Sequence, residues 1–319
     1  LERIFNLYSF KSVDKALVTE LSYGAIRQRY FLDCWIDCLG KVPAKKQPPL
    51  LRWLLHLGLY QVLKMERIPP AAAINTTVEL AKTHHLTKLA PVVNAILRSA
   101  LRRKERGSLL PKSKNPSLEL ARNESLPFWL ADELITWKGI EDANEIAQAF
   151  NTISPIDIRV NKLRADLKDV KENFDSSGIK NQLISNCPYG LEVPAGVGEP
   201  KRWPGYVEGK WSVQDRSSQL IAPSLGALPG EKILDACAAP GGKSTHIAEL
   251  INNEGMIWSV DRSSKRSKKI LANSERLGTK CLQILVADSN ELLLKNPDWK
   301  GFFDRILIDA PCSGLGTLA

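Results

Sequence analysis

"LDACAAPGGKST", residues 234–245, decides how the second half of this chain is read. An apolar lead-in, a bend with two glycines and a polar tail predict a strand, a turn and a helix. A phosphate cradle of the form G-x-x-x-x-G-K-[ST] would need its first glycine five residues before Gly242, where Cys237 stands. Cysteine does not cheaply replace glycine at positive φ. Pro240 has no N–H, in a loop that would have to aim successive amides at phosphate oxygens. The dinucleotide pattern G-x-G-x-x-G is also missing. What remains is a bend that lets backbone approach a ligand lacking a phosphate chain.

Outward from this stretch the same rhythm repeats. "KILDAC" precedes "GKSTHIAELI", "GMIWSVD" precedes "SSKRSKKILANSERLG", "CLQILVAD" precedes "SNELLLK", and the last strand is "FDRILIDA". Strands apolar on both faces, alternating with helices, predict a covered parallel sheet. Ligands of such sheets sit beyond the carboxyl ends of the strands, where strand order reverses. Asp235, Asp261, Asp288 and Asp309 fall at or near those ends. Asp261 stands where a carboxylate would meet both hydroxyls of a ribose, and Asp288 where one would meet an adenine amino group. Helix capping is the alternative role, since Asp261 precedes "RSSK" and Asp288 precedes "SNEL". An adenosine with a short zwitterionic tail fits the set, and S-adenosylmethionine is such a ligand.

Upstream, residues 1 to about 106 keep apolar side chains at helical spacing, as in "DKALVTELSYGAIRQRYFLDCWIDCL" and "PPLLRWLLHLGLYQVLKM". A bundle of short helices is predicted. "SLLPKSKNPSLE" (108–119) reads as a linker, and a helical stretch follows at about 127–150. The segment from 151 to 205 reads as a small α+β module.

The net charge of +9 is uneven: residues 1–120 carry a net +11 and the remainder a net −2. A basic amino-terminal third suggests a polyanionic partner. With 44% apolar and 25% charged residues the chain is globular, and no apolar run approaches the ~20 residues of a membrane span. The chain opens without Met and without a signal-peptide pattern, so its natural amino terminus is expected to lie further upstream. The six cysteines form no CxxC pair. Cys34 and Cys38 are one helical turn apart, but no further ligand pair is placed to complete a zinc site, and no metal is expected. Reduced thiols without an export signal point to the cytoplasm.

These motifs together resemble the Sun/RsmB-type bacterial RNA cytosine-5 methyltransferases. "DACAAPGGKSTHIAEL", "VDRSSKRSKKILANSERLG", "VADS" and "ILIDAPCSGLGTL" are similar to that family's successive methyltransferase motifs. "WSVQDRSSQLIAP" is similar to the segment leading into its catalytic domain. "LLHLGLYQVLKMERIPPAAAINTTVELAK" with "VVNAILR" resembles the fused NusB-like RNA-binding domain. The resemblance implies four regions: a NusB-like all-α domain (1–107), linker and helices (108–150), a small α+β RNA-binding module (151–205) and a Rossmann-like α/β methyltransferase domain (206–319). It implies S-adenosylmethionine-dependent methylation of cytosine carbon 5 in small-subunit ribosomal RNA by a cytoplasmic monomer, with no DNA or membrane partner. Cofactor contacts carry over to Cys237, Ala238, Ala239, Pro240, Gly241, Gly242, Lys243, Asp261, Asp288 and Asp309. Cys312 matches the cysteine that assists elimination, with Asp309 beside the cytosine ring. The family's nucleophile belongs to a later Thr-Cys motif, expected after Ala319, the chain being read as carboxyl-terminally truncated. Cys312 as the nucleophile itself is the alternative. The rival function is a NusB-like RNA adaptor with a non-catalytic Rossmann-like domain.

Overall fold

Helical periodicity in the first half becomes α1 (Glu2–Leu7), α2 (Ser12–Arg27), α3 (Arg29–Leu39), α4 (Pro49–Lys64), α5 (Pro70–Thr83), α6 (Ala90–Glu105), α7 (Pro116–Asn123) and α8 (Phe128–Ala149). The computed structural model describes residues 1–107 and 110–317. It divides into two units, the first ending at Thr152 and the second beginning at Ile153. In the first unit Leu32, Trp35 and Ile36 of α3 pack with Leu51, Leu55 and Leu59 of α4 and Leu97 of α6, all buried. That stripe is the apolar pattern read from the sequence, closed on itself. A polar knot sits within it: Asp33 accepts from Arg52 Nε at 2.8 Å and lies 2.8 Å from His56 Nε2.

The stretch predicted as linker is shorter than expected. Ser108 and Leu109 lie outside the described residues, and α7 already begins at Pro116. Asn115 accepts from the Leu118 amide at 3.0 Å, capping the helix. Pro116 occupies the first turn, where its missing N–H has no partner to lose. Among the described residues, no helix is long and apolar enough to cross a membrane.

The second unit holds two sheets. An antiparallel sheet runs in the order β2 (Gln182–Leu183), β3 (Gly190–Val193), β1 (Ile156–Val160), β4 (Trp211–Val213). Helix α9 (Leu167–Ser176) packs on it through Val170 and Phe174, against Ile158, Val160, Leu191 and Trp211. Trp211–Val213, read from sequence as the lead-in to the next region, therefore completes this sheet by pairing with β1.

After the short helices α10 (Arg216–Gln219) and α11 (Ile221–Leu225) the strand–helix alternation forms a parallel sheet, as predicted. Its strands are β5 (Lys232–Asp235), β6 (Met256–Asp261), β7 (Leu282–Val286) and β8 (Arg305–Leu307), ordered β7-β6-β5-β8. Helices α12 (Gly242–Leu250), α13 (Ser264–Leu277) and α14 (Leu292–Lys295) join them. Successive residues bury opposite faces. Ile233 packs with Ile247 and Ile257 on one side, and Leu234 with Val260 and Leu292 on the other. Burial on both faces explains the continuous apolar runs of the central strands β5 and β6, whereas the outer strands β7 and β8 keep residues such as Val286 and Ile306 exposed.

Candidate active site

Strand order reverses at β5, with β6 and β7 on one side of it and β8 on the other. At such a reversal the connections part and leave a crevice beyond the carboxyl ends. Here it is a cavity of ≈ 870 Å³, lined by Cys237, Ala239, Asp261, Asp288, Asp309 and Cys312 among others. Register accounts for the meeting. Asp235 is level with Ser259 on β6 and Leu307 on β8. Asp261, Asp309 and Cys237 each come two residues later, so they emerge together one step above it. Asp288 follows two residues after Val286, the partner of Asp261.

The bend between β5 and α12 is held from within. The Ala238 amide donates to the Val260 carbonyl at 2.8 Å, and the Gly241 amide to that of Ala238 at 2.7 Å. Gly241 has φ of 100°, and a Cβ there would lie 3.2 Å from Cα of Ile270 on α13. Both facts call for glycine. Gly242 is different: a Cβ would meet only Gln214 Nε2, at 3.8 Å. Of the bend residues expected to contact the cofactor, Cys237 and Ala239 line the cavity, whereas Ala238, Pro240, Gly241, Gly242 and Lys243 do not.

Electrostatics divides the carboxylates. Asp235 is buried beneath the bend and accepts from Ser244 Oγ at 2.6 Å. Burial pushes its carboxyl up to about 6, against the opposing pull of that hydroxyl. Asp261 accepts from the Ser263 amide at 2.9 Å, and Asp288 from the Asn290 amide at 3.0 Å. Asp288 thus caps the short turn after it, whereas α13 is capped by Ser263, which accepts from the Arg266 amide at 3.3 Å, and not by Asp261; both aspartates line the crevice. Asp309 pairs with Lys243 Nζ at 2.6 Å. Burial, then the charges of Asp235, Asp261 and Asp309, push the Cys237 thiol up and keep it protonated. Cys312 is exposed, and its Sγ lies 3.4 Å from the Gly314 amide.

Arg266 was not foreseen from sequence. It lines the crevice, donates from Nη2 to the Ala239 carbonyl at 2.7 Å and lies 3.4 Å from Asp261. One signal was available: a cation in the first turn of a helix opposes the macrodipole and calls for another partner. The apolar wall comes from Leu292, Trp299 and Phe303. Lined by three carboxylates and by these apolar side chains, the crevice suits a cationic nucleoside better than a pyrophosphate. Among the described residues no group of three or more His, Cys, Asp or Glu could hold a metal ion.

Comparison with known proteins gives the same picture. Residues 222–319 match the family model described as 16S rRNA methyltransferase RsmB/F. Residues 4–102 match the NusB family, and 126–198 the RsmF/B-like ferredoxin-like domain. The probable ribosomal RNA small subunit methyltransferase B of Synechocystis is 37% identical over 319 residues, covering 100% of this chain and 70% of that one. Its Bacillus subtilis counterpart is 33% identical with the same coverage, 100% and 70%. Among solved structures, that of PH0851 is similar with a TM-score of 0.77 at 24% identity, over 99% of this chain and 70% of its own, a likeness of fold.

Proposed function

Because the chain belongs to the 16S rRNA methyltransferase RsmB/F family, we propose that it transfers a methyl group from S-adenosylmethionine to carbon 5 of a cytosine in small-subunit ribosomal RNA. The observation that carries this reading is the convergence of Asp261, Asp288, Asp309 and Cys312 on one cavity at the strand-order reversal. The bound cofactor would supply an electrophilic methyl group on a sulfonium.

The chain's own residues take the binding and positioning roles and assist elimination, while the thiolate that adds to carbon 6 belongs to the Thr-Cys motif expected after Ala319. Asp261 accepts from the ribose hydroxyls and Asp288 from the adenine amino group. The bend Cys237–Lys243 backs the methionine end, and Asp309, held by Lys243, serves the border between cofactor and cytosine. Carbon 5 of cytosine is a weak nucleophile until a thiolate adds to carbon 6 and makes the ring enamine-like. Once carbon 5 carries the methyl group, a base takes its proton, the thiolate departs and the ring double bond returns. Cys312 assists that elimination, and its exposure supports access to a base that has left its stack.

Ribosomal RNA is bound through the basic helical region 1–107 and the small module 151–205, by a monomer working in the cytoplasm. The net +11 of residues 1–120 supports the first contact, and six free thiols support the compartment. Calorimetry on the full-length protein tests the reading. S-adenosylmethionine should bind saturably, and Asp261→Ala should weaken it by about tenfold or more, roughly 1.4 kcal/mol, while RNA affinity stays within about twofold. Absence of saturable binding, or tighter binding of ATP, would return the chain to the adaptor class.

A further inference from the structure

Arg159, on β1 of the antiparallel sheet, lies outside the crevice, yet its side chain is 1% exposed and serves three side chains and a backbone carbonyl at once. Its Nε and Nη2 donate to the two carboxylate oxygens of Glu249 at 3.0 and 2.6 Å. Its Nη1 donates to the Gly242 carbonyl at 3.1 Å and to Gln214 Oε1, and its Nη2 reaches Thr245 Oγ1 at 3.4 Å. Gln214 Nε2 in turn lies 3.5 Å from the same Gly242 carbonyl.

Gly242, Thr245 and Glu249 are spaced three and seven residues apart and so share one stripe of α12. Arg159 therefore grips that helix from its first residue to its last turn. On another side Ser244 ties the helix to Asp235 at the end of β5. Together the two contacts fix both the rotation and the height of α12, and with them the bend that carries Ala239 into the crevice. A buried pair with Glu249 alone would contribute little over apolar side chains of similar size. The fork that reaches past Glu249 to the helix start is what an ammonium could not reproduce.

We infer that Arg159 is a positioning residue for the cofactor crevice: it holds the Gly242 end of α12 from behind and so couples the first strand of the small module to cofactor affinity. This rests on the crevice being an S-adenosylmethionine site.

The test uses the full-length protein, with calorimetry for S-adenosylmethionine, a binding assay for RNA and thermal melts run side by side. Arg159→Met combined with Glu249→Met removes the charges without leaving one unpaired, and should melt within a few degrees of the parent. Its cofactor affinity should fall about tenfold, with RNA affinity within about twofold. Arg159→Lys, which keeps a cation facing Glu249, should fall about threefold in cofactor affinity at an unchanged melting point. A folded double variant that binds cofactor as well as the parent overturns the inference, and so does an equal loss of both ligands. Should the double variant fail to fold, Arg159→Lys decides by the same criterion. A parent protein that binds no cofactor would instead refute the reading of the crevice itself.

Discussion

Asp235 is the residue whose environment most changes its chemistry. Its carboxyl moves from an ordinary 3.8 to about 6 because burial disfavours the anion. Between those values the folded protein keeps a proton that the unfolded chain releases, so stability falls as pH rises through the window and stays lower above it. The cost of charging this one group is on the order of 2–3 kcal/mol. Asp235→Asn keeps an acceptor for Ser244 and carries no charge. Relative to the parent, its stability should climb as pH goes from about 4 to about 6 and then level off. Urea unfolding of both proteins across that range measures it; a constant difference would mean that Asp235 titrates as an exposed carboxyl does. Sequence could place Asp235 at a strand end, but its separation from Asp261 and Asp309 comes only from register, which puts it one step lower.

At the scale of elements, the parallel sheet was the most legible part, since long apolar runs alternating with helices have few other solutions. The cavity-lining aspartates were legible for the same reason. Less visible was everything resting on a single turn or a distant partner. Helix α7 hid in a Pro- and Ser-rich stretch because Pro116 breaks a helix interior but suits its start. Strand β4 is three residues long and is defined by its pairing with β1, which local pattern does not encode. Arg159 and Arg266 went unnoticed because each acts through contacts far away in the chain. The bend before α12 offers a test at this scale. Gly241→Ala should cost about 1–3 kcal/mol, from positive φ and the approach to Ile270. Gly242→Ala should be neutral or stabilising by up to about 1 kcal/mol, as for alanine in a helix. Thermal melts that gave both variants the same loss would contradict the geometry.

Across the whole molecule, charge is partitioned in sequence, with a net +11 in residues 1–120 and a net −2 in the rest. If that basic region meets phosphates, RNA affinity must drop with salt. Each neutralised phosphate contributes roughly −0.7 to −0.9 to the slope of log affinity against log salt, so a slope steeper than about −3 is expected. A slope near zero, measured by titration at several ionic strengths, would leave the basic region without a part in binding. The crevice follows a different electrostatic logic. Arg266 faces Asp261 and Lys243 holds Asp309. Ribose hydroxyls reaching Asp261 would thus share that carboxylate with Arg266, while Lys243 keeps Asp309 in place at the border with the cytosine. When the spent molecule departs, both carboxylates keep those cations beside them.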